Sequence, residues 1–114
     1  MTNPPTPSVL AALAQVIEER RASTADASYT KSLLDKGAAH CAKKFGEEAV
    51  EFALAVAAEG DDAVQAEAAD VLYHLLVALA ARGVAIADVE QVLAARMGVS
   101  GHAEKAARSA DGAA

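Results

Sequence analysis

The stretch KKFGEEAVEFALA, from Lys43 to Ala55, combines the pattern of a packed helix with three closely spaced glutamates. At about 100° per residue, Glu47, Glu48 and Glu51 fall within an arc of roughly 100° on the predicted helix. Apolar residues border this acidic arc on both sides: Val50 and Leu54 on one, Phe45 and Phe52 on the other. A merely solvated face would have polar flanks, so the glutamates are expected at the edge of a packed interface.

The composition favours an all-α protein. Alanine, the best helix former, supplies 31 of the 114 residues, whereas aromatic residues make up only 4%. The length fits one domain, residues 1–114, and we expect residues 1–5 and 110–114 to be frayed. The single cysteine, Cys41, excludes an intrachain disulfide and a cysteine-rich zinc site. A formal charge of −6 argues against general nucleic-acid binding.

Cap and turn signals divide the chain into five predicted helices, joined by short connections. The first starts with Thr6 as the cap and Pro7 in the first turn, and the second follows Ser28 and ends near Gly37. The other predicted boundaries are a third helix over 38 to about 58, a fourth capped by Asp61 or Asp62 and ending at Arg82 before Gly83, and a fifth over 85–97 closed by Gly98. Long helices with short connections predict an antiparallel bundle of four to five helices.

The fourth predicted helix carries a second acidic cluster. Glu67, Asp70 and His74 are spaced i, i+3, i+7 and border its apolar face, which is expected to contain Val64, Ala68, Leu72, Leu75, Leu76 and Leu79. The chain reverses near Gly60, about equally far from Glu51 and Glu67. We therefore expect the two acidic clusters to face one cleft at similar heights.

Acidic residues on helices usually mark a solvent-facing surface. However, Glu47 and Glu51 are like charges at i, i+4, which destabilises a helix, and this cost suggests a cation supplied from outside the chain. Carboxylates suit hard ions such as Mg²⁺ or Mn²⁺, and five of them could hold one ion or two. The three histidines lack the Glu-x-x-His spacing of di-iron bundles. Lys43 and Lys44 lie one turn away, where they could contact phosphate oxygens.

The order Glu47-Glu48-x-x-Glu51, then Glu67-x-x-Asp70, resembles the signature of the MazG-like all-α nucleotide pyrophosphohydrolases. The flanking segments SYTKSLLDKG, EAADVLYHLLVAL and LAARMGVSGHAEKAARS narrow the resemblance to the phosphoribosyl-ATP pyrophosphohydrolase family, over about residues 28–109.

This resemblance implies a stand-alone, Mg²⁺-dependent, dimeric enzyme in which a metal-activated water hydrolyses phosphoribosyl-ATP to phosphoribosyl-AMP and pyrophosphate. That reaction is the second step of histidine biosynthesis. The implied metal ligands are Glu47, Glu48, Glu51, Glu67 and Asp70. We choose Glu48 as the glutamate that orients the attacking water. The implied substrate-binding residues are Tyr29, Thr30, Lys31, Lys43, Lys44, Arg96, Lys105 and Arg108.

Two other functions are left open by the sequence. One is a general nucleoside-triphosphate pyrophosphohydrolase that clears surplus or damaged nucleotides with the same metal chemistry. The other is a non-catalytic dimerising bundle whose acidic residues serve only solubility. The N-terminal sequence does not resemble a signal peptide, and no apolar run approaches the roughly 20 residues of a membrane span, so we expect a cytoplasmic protein.

Overall fold

The computed structural model describes residues 8–97, and this part of the chain contains helices and turns but no β-strand. The expected all-α class is therefore confirmed. The helices are α1 (Val9–Arg20), α2 (Tyr29–Asp35), α3 (Ala38–Ala58), α4 (Asp61–Arg82) and α5 (Ile86–Arg96).

The predicted boundaries of the second, third and fourth helices agree closely with the structure. Ser28 caps α2 by accepting a hydrogen bond from the backbone N–H of Lys31 at 3.2 Å. Gly83 ends α4 in the left-handed region, with φ of 71°, which a residue with a Cβ adopts only with strain. A two-residue connection, Glu59 and Gly60, separates α3 from α4, so these helices form an antiparallel hairpin.

Two predicted caps are wrong. Helix α1 begins at Val9 with Ser8 as its cap, because the Ser8 hydroxyl accepts a hydrogen bond from the Ala11 N–H at 3.1 Å. The predicted cap and first-turn proline, Thr6 and Pro7, lie outside the described residues, as does Gly98 after α5. Gly60 rather than an aspartate occupies the cap position of α4, and Asp61 and Asp62 lie in the first turn. There their negative charges interact favourably with the helix dipole.

The core is built around the α3–α4 hairpin, against which α1 and α2 pack. Its buried residues come from four helices: Ile17, Leu33, Cys41, Leu76 and Val77. The Cys41 thiol donates a hydrogen bond to the Leu33 carbonyl at 3.2 Å, which ties α3 to α2. Leu72, expected on the apolar face of α4, is 40% exposed, whereas His74 is buried. The predicted inward face of α4 is therefore right for Leu76, which is buried, and wrong for Leu72.

Helix α4 also corrects the expectation that no segment approaches the length of a membrane span. Its 22 residues are long and apolar enough to cross a membrane by length and composition. The central helix of a soluble bundle meets the same criterion, and α4 packs against α1, α2 and α3. The hydropathy of α4 is therefore weak evidence for a membrane.

Candidate active site

The α3–α4 hairpin brings acidic side chains from both helices into one group. One carboxylate oxygen from each of Glu48, Glu67 and Asp70 lies within 4.8 Å of the others. We call these three residues the inner cluster. Glu48 and Glu67 are partly buried and Asp70 is exposed, so the cluster lies at the edge of the hairpin interface and opens to solvent.

Two oxygens of the inner cluster lack a hydrogen-bond partner among the described residues. They are Oε2 of Glu48 and Oε2 of Glu67, and both are buried. A buried polar atom without a partner typically costs about 1–3 kcal/mol, and more when it is charged. This arrangement fits a cation, because a hard divalent ion binds carboxylate oxygens and offsets that cost.

Two carboxylates of the inner cluster have raised pKa values. Burial raises the pKa of Glu48, and the negative charges of Glu51, Asp70 and Glu67 raise it further. Burial also raises the pKa of Glu67, with added repulsion from Glu51, Asp70 and Glu59. Both carboxylates are therefore in surroundings that disfavour their charged form when no cation is bound.

The other two predicted ligands differ from each other in their surroundings. The negative charge of Glu51 raises the pKa of both Glu48 and Glu67, so Glu51 adds to the repulsion that acts on the inner cluster. Glu47 instead pairs with Lys44, with 3.2 Å between Glu47 Oε2 and Lys44 Nζ. We call Lys44 and Glu47 the outer pair. The assignment of Glu47 and Glu51 as metal ligands stays a prediction.

His74 lies directly behind the inner cluster. The residue is only 6% exposed, and its Nε2 atom is 3.9 Å from Oε1 of Glu48. Its Nδ1 atom has no hydrogen-bond partner within the described part of the chain. Burial lowers the pKa of His74, although Asp70 opposes this shift, so its surroundings favour the neutral imidazole. The helical spacing associates His74 with the acidic residues of α4, but the sequence alone does not distinguish packing from a role in the site.

The predicted substrate-binding residues of α2 have different surroundings, and one of them, Tyr29, contacts His74. The Tyr29 ring is 56% exposed and meets the His74 ring edge-on, with centroids 6.3 Å apart. Thr30 is buried, and its hydroxyl shares a hydrogen bond with the hydroxyl of Tyr73. Lys31 forms an ion pair with Asp35. Of these three side chains, that of Tyr29 is the most open to an incoming ligand.

The remaining predicted substrate contacts are dispersed. Lys43 lies exposed on α3 and makes no hydrogen bond or ion pair within residues 8–97. Arg96 is in the last turn of α5, a helix that packs against α1. Lys105 and Arg108 lie outside the described residues. The assignment of all four residues to substrate binding stays a prediction.

A separate cavity of about 460 Å³ lies between α1 and the junction of α4 with α5. Its lining is mainly apolar, and the polar residues in it include Glu18 and Arg21, which form an ion pair at 2.9 Å. No member of the inner cluster lines this cavity. We therefore place the candidate active site at the inner cluster rather than at the cavity.

Comparison with known proteins identifies the family of this chain. A family profile described as Phosphoribosyl-ATP pyrophosphohydrolase matches residues 10–97. The chain belongs to this family. Membership confirms the resemblance seen in the sequence and the MazG-like all-α fold.

Several relatives named phosphoribosyl-ATP pyrophosphatase align along most of the chain. The protein of Nitrobacter winogradskyi is 54% identical over 99 residues, which cover 87% of this chain and 85% of the relative. A protein of Cereibacter sphaeroides is 57% identical over 101 residues, covering 88% and 97%. A third, from Bradyrhizobium diazoefficiens, carries the name with the suffix 1 and is 56% identical over 97 residues, covering 84% and 91%. Similarity to enzymes of this kind favours a soluble chain over a membrane-spanning one.

Proposed function

We propose that this protein hydrolyses phosphoribosyl-ATP to phosphoribosyl-AMP and pyrophosphate, the second step of histidine biosynthesis. The observation that carries the proposal is the inner cluster with its two unpaired buried carboxylate oxygens. It lies within a chain that is more than half identical to phosphoribosyl-ATP pyrophosphatases over nearly its whole length. The acidic site and the family therefore point to the same phosphoanhydride chemistry.

The residues of the inner cluster fit a divalent cation, and we propose Mg²⁺ with Mn²⁺ as a substitute. Glu48, Glu67 and Asp70 would hold it, with Glu51 beside them and Glu47 as a further ligand. Only oxygen donors are offered, which is the ligand set that these hard ions prefer. When bound, the ion supplies positive charge that stabilises negative charge on the reacting phosphate and on the leaving group.

The protein's own residues have distinct roles in the proposal. Glu48 orients the attacking water by accepting a hydrogen bond from it. Lys44, one turn before Glu48 on α3, contacts substrate phosphate oxygens, and Lys43 does the same from the exposed side. The exposed Tyr29 lines the nucleotide pocket with Thr30 and Lys31, while Arg96, Lys105 and Arg108 contact phosphate or ribose.

The substrate is tested by comparing pyrophosphate release from phosphoribosyl-ATP with release from ATP and dCTP, at equal concentrations and with Mg²⁺ present. We expect phosphoribosyl-ATP to have a kcat/KM at least about 100-fold higher, since a site that binds the added phosphoribosyl group loses those contacts with ATP. Equal values for the three substrates would assign the protein to the general nucleotide pyrophosphohydrolases instead.

We also propose that two copies of the chain associate through the face of α3 that contains Val50 and Leu54. Val50 and Leu54 lie one turn apart on this face and are 60% and 61% exposed, so a second copy would remove a substantial apolar surface from water. Sedimentation velocity should show a dimer for the wild type and a monomer for Leu54→Glu. A wild-type monomer at tens of micromolar would contradict this proposal.

We further propose that the protein is soluble and cytoplasmic, as expected for an enzyme acting on a phosphorylated nucleotide. The carboxylates in the middle of α4 support this proposal, because charged side chains are costly inside a bilayer. After cell lysis without detergent, the protein should remain in the supernatant of a high-speed spin. Recovery in the membrane pellet would contradict it.

A further inference from the structure

We propose that His74 is a positioning residue that orients Glu48 for cation binding by donating its Nε2–H to Oε1 of Glu48. The inference rests on the proposed function, because it assigns a role within the same site. His74 does not contact the substrate or the cation in this proposal. It acts through Glu48 alone.

The geometry places the two groups just beyond hydrogen-bond distance. Nε2 of His74 and Oε1 of Glu48 are 3.9 Å apart, and an N–H···O bond requires about 2.7–3.2 Å. The Glu48 side chain is 21% exposed and the His74 side chain only 7%, so the glutamate is the less confined of the two. A shift of about 1 Å in the glutamate therefore completes the bond.

Neighbouring aromatic rings hold the imidazole in place. Tyr73 meets it edge-on at 5.1 Å between centroids, and Tyr29 does so from α2 at 6.3 Å. The Tyr73 hydroxyl is in turn hydrogen-bonded to Thr30, which fixes that ring between α2 and α4. The donor that faces Glu48 is therefore constrained from two helices, as a positioning residue requires.

The hydrogen bonding of His74 also favours this tautomer. A neutral imidazole has one N–H and one acceptor nitrogen, and Nδ1 is buried without a partner. A buried N–H without a partner is unfavourable, so the proton belongs on Nε2, where a carboxylate lies nearest. Hydrogen bonds of this kind hold metal-binding carboxylates in orientation, and losing one typically lowers metal affinity about 10–100-fold.

The experiment compares His74→Gln, whose amide nitrogen reaches the place of Nε2, with His74→Asn, whose shorter side chain reaches only that of Nδ1. His74→Leu removes the donor and keeps apolar packing. Val77→Ala is the matched packing control, since Val77 is fully buried one turn further along α4 and carries no polar group. Mn²⁺ binding to each purified protein is measured by electron paramagnetic resonance, together with kcat, KM and thermal stability.

We expect Mn²⁺ affinity to fall about 10–100-fold in His74→Asn and His74→Leu and to stay within about threefold of wild type in His74→Gln. Val77→Ala should lose thermal stability but keep its Mn²⁺ affinity. If His74→Leu does not fold, the comparison of the Asn and Gln variants decides. Equal Mn²⁺ affinity in those two variants, or in wild type and a folded His74→Leu, would overturn the inference.

These outcomes are separable from a failure of the proposed function. If wild-type protein binds Mn²⁺ and responds to the His74 variants as described but does not hydrolyse phosphoribosyl-ATP, the substrate proposal is wrong and the positioning role holds. If wild type hydrolyses phosphoribosyl-ATP and all His74 variants bind Mn²⁺ like wild type, the reverse is true.

Discussion

Glu47 and Glu48 are neighbours in sequence, yet they lie in two different environments. In the outer pair, the Glu47 side chain is 47% exposed and its charge is matched by Lys44. In the inner cluster, the Glu48 side chain is 21% exposed, and it faces Glu67 and Asp70, which are also negative. One carboxylate has a cation within the chain, whereas the other is surrounded by like charge.

This difference between Glu47 and Glu48 shows how a single helix can carry both a solvated ion pair and a candidate metal site. Successive residues point about 100° apart on a helix, so Glu48 turns toward α4 while Glu47 turns toward water. Acidic residues on a surface need no further explanation, but a partly buried group of three carboxylates does. The inner cluster is therefore the part of the acidic sequence in which function should concentrate.

The largest expected effect is a contrast between Glu48→Gln and Glu47→Gln. Glu48→Gln should lower kcat by about 10²–10⁴-fold, because it removes a proposed ligand and the group that orients water. Glu47→Gln should lower kcat by less than about tenfold, because its carboxylate already has Lys44 as partner. Steady-state kinetics with phosphoribosyl-ATP and Mg²⁺ measure both effects, and circular dichroism verifies that both variants are folded.

A large loss in both variants would make Glu47 as important to the site as Glu48 and remove the functional distinction between the two environments. Full activity in Glu48→Gln would contradict the metal-site proposal. If Asp70→Asn were also fully active, neither α3 nor α4 would supply the metal ligands proposed here, and the whole metal-site assignment would be wrong.

The sequence predicted much of the fold because local signals determine it. Ser28, Gly37 and Gly83 act within a few residues of the boundaries they mark. The short connection at Gly60 forces α3 and α4 to be antiparallel neighbours, and this brings Glu67 and Asp70 to the height of Glu48. Neither inference requires knowledge of distant contacts.

The sequence predicted the inward face of α4 only in part, because apolar residues occur nearly all round this helix. Leu72 is 40% exposed while His74 is buried, and α1 and α2 decide this rotation by packing from the other side. The sequence also did not determine which lysine forms an ion pair with Glu47. The i, i+4 spacing pairs Lys43 with Glu47 and Lys44 with Glu48, but the structure pairs Lys44 with Glu47 at i, i+3.

A smaller effect is expected in the stability of the metal-free protein. Burial and nearby carboxylates raise the pKa of Glu67 above its ordinary value of 4.5. The Glu67 carboxyl group therefore binds its proton more tightly in the folded chain than in the unfolded chain. The stability that this binding contributes is present below pH 4.5 and is lost as the pH rises through the raised pKa. The glutamine side chain of Glu67→Gln is uncharged at every pH. With EDTA present, this variant should therefore unfold a few degrees above wild type at pH 7, and the difference in unfolding temperature should disappear toward pH 4.5.

Glu18→Gln provides a control of opposite sign outside the inner cluster. The hydrogen bond from Arg21 lowers the pKa of Glu18, so this variant should lose rather than gain stability relative to wild type as pH rises. Added Mg²⁺ should reverse the order of wild type and Glu67→Gln at pH 7, because only wild type keeps the complete cluster. A Glu67→Gln variant that is less stable than metal-free wild type at pH 7 would contradict the repulsion inferred for the inner cluster.

The smallest effect should come from the outer pair. Lys44→Gln and Glu47→Gln should each change the unfolding temperature by about 2 °C or less, because an exposed ion pair is screened by water and salt. The double variant measures the coupling directly, and this coupling should vanish in 0.5 M NaCl. A coupling that persists at that salt concentration would mean that the outer pair is shielded from solvent. Glu47 would then share the environment of Glu48, and the two neighbouring glutamates would no longer differ in the property that separates a surface ion pair from a metal site.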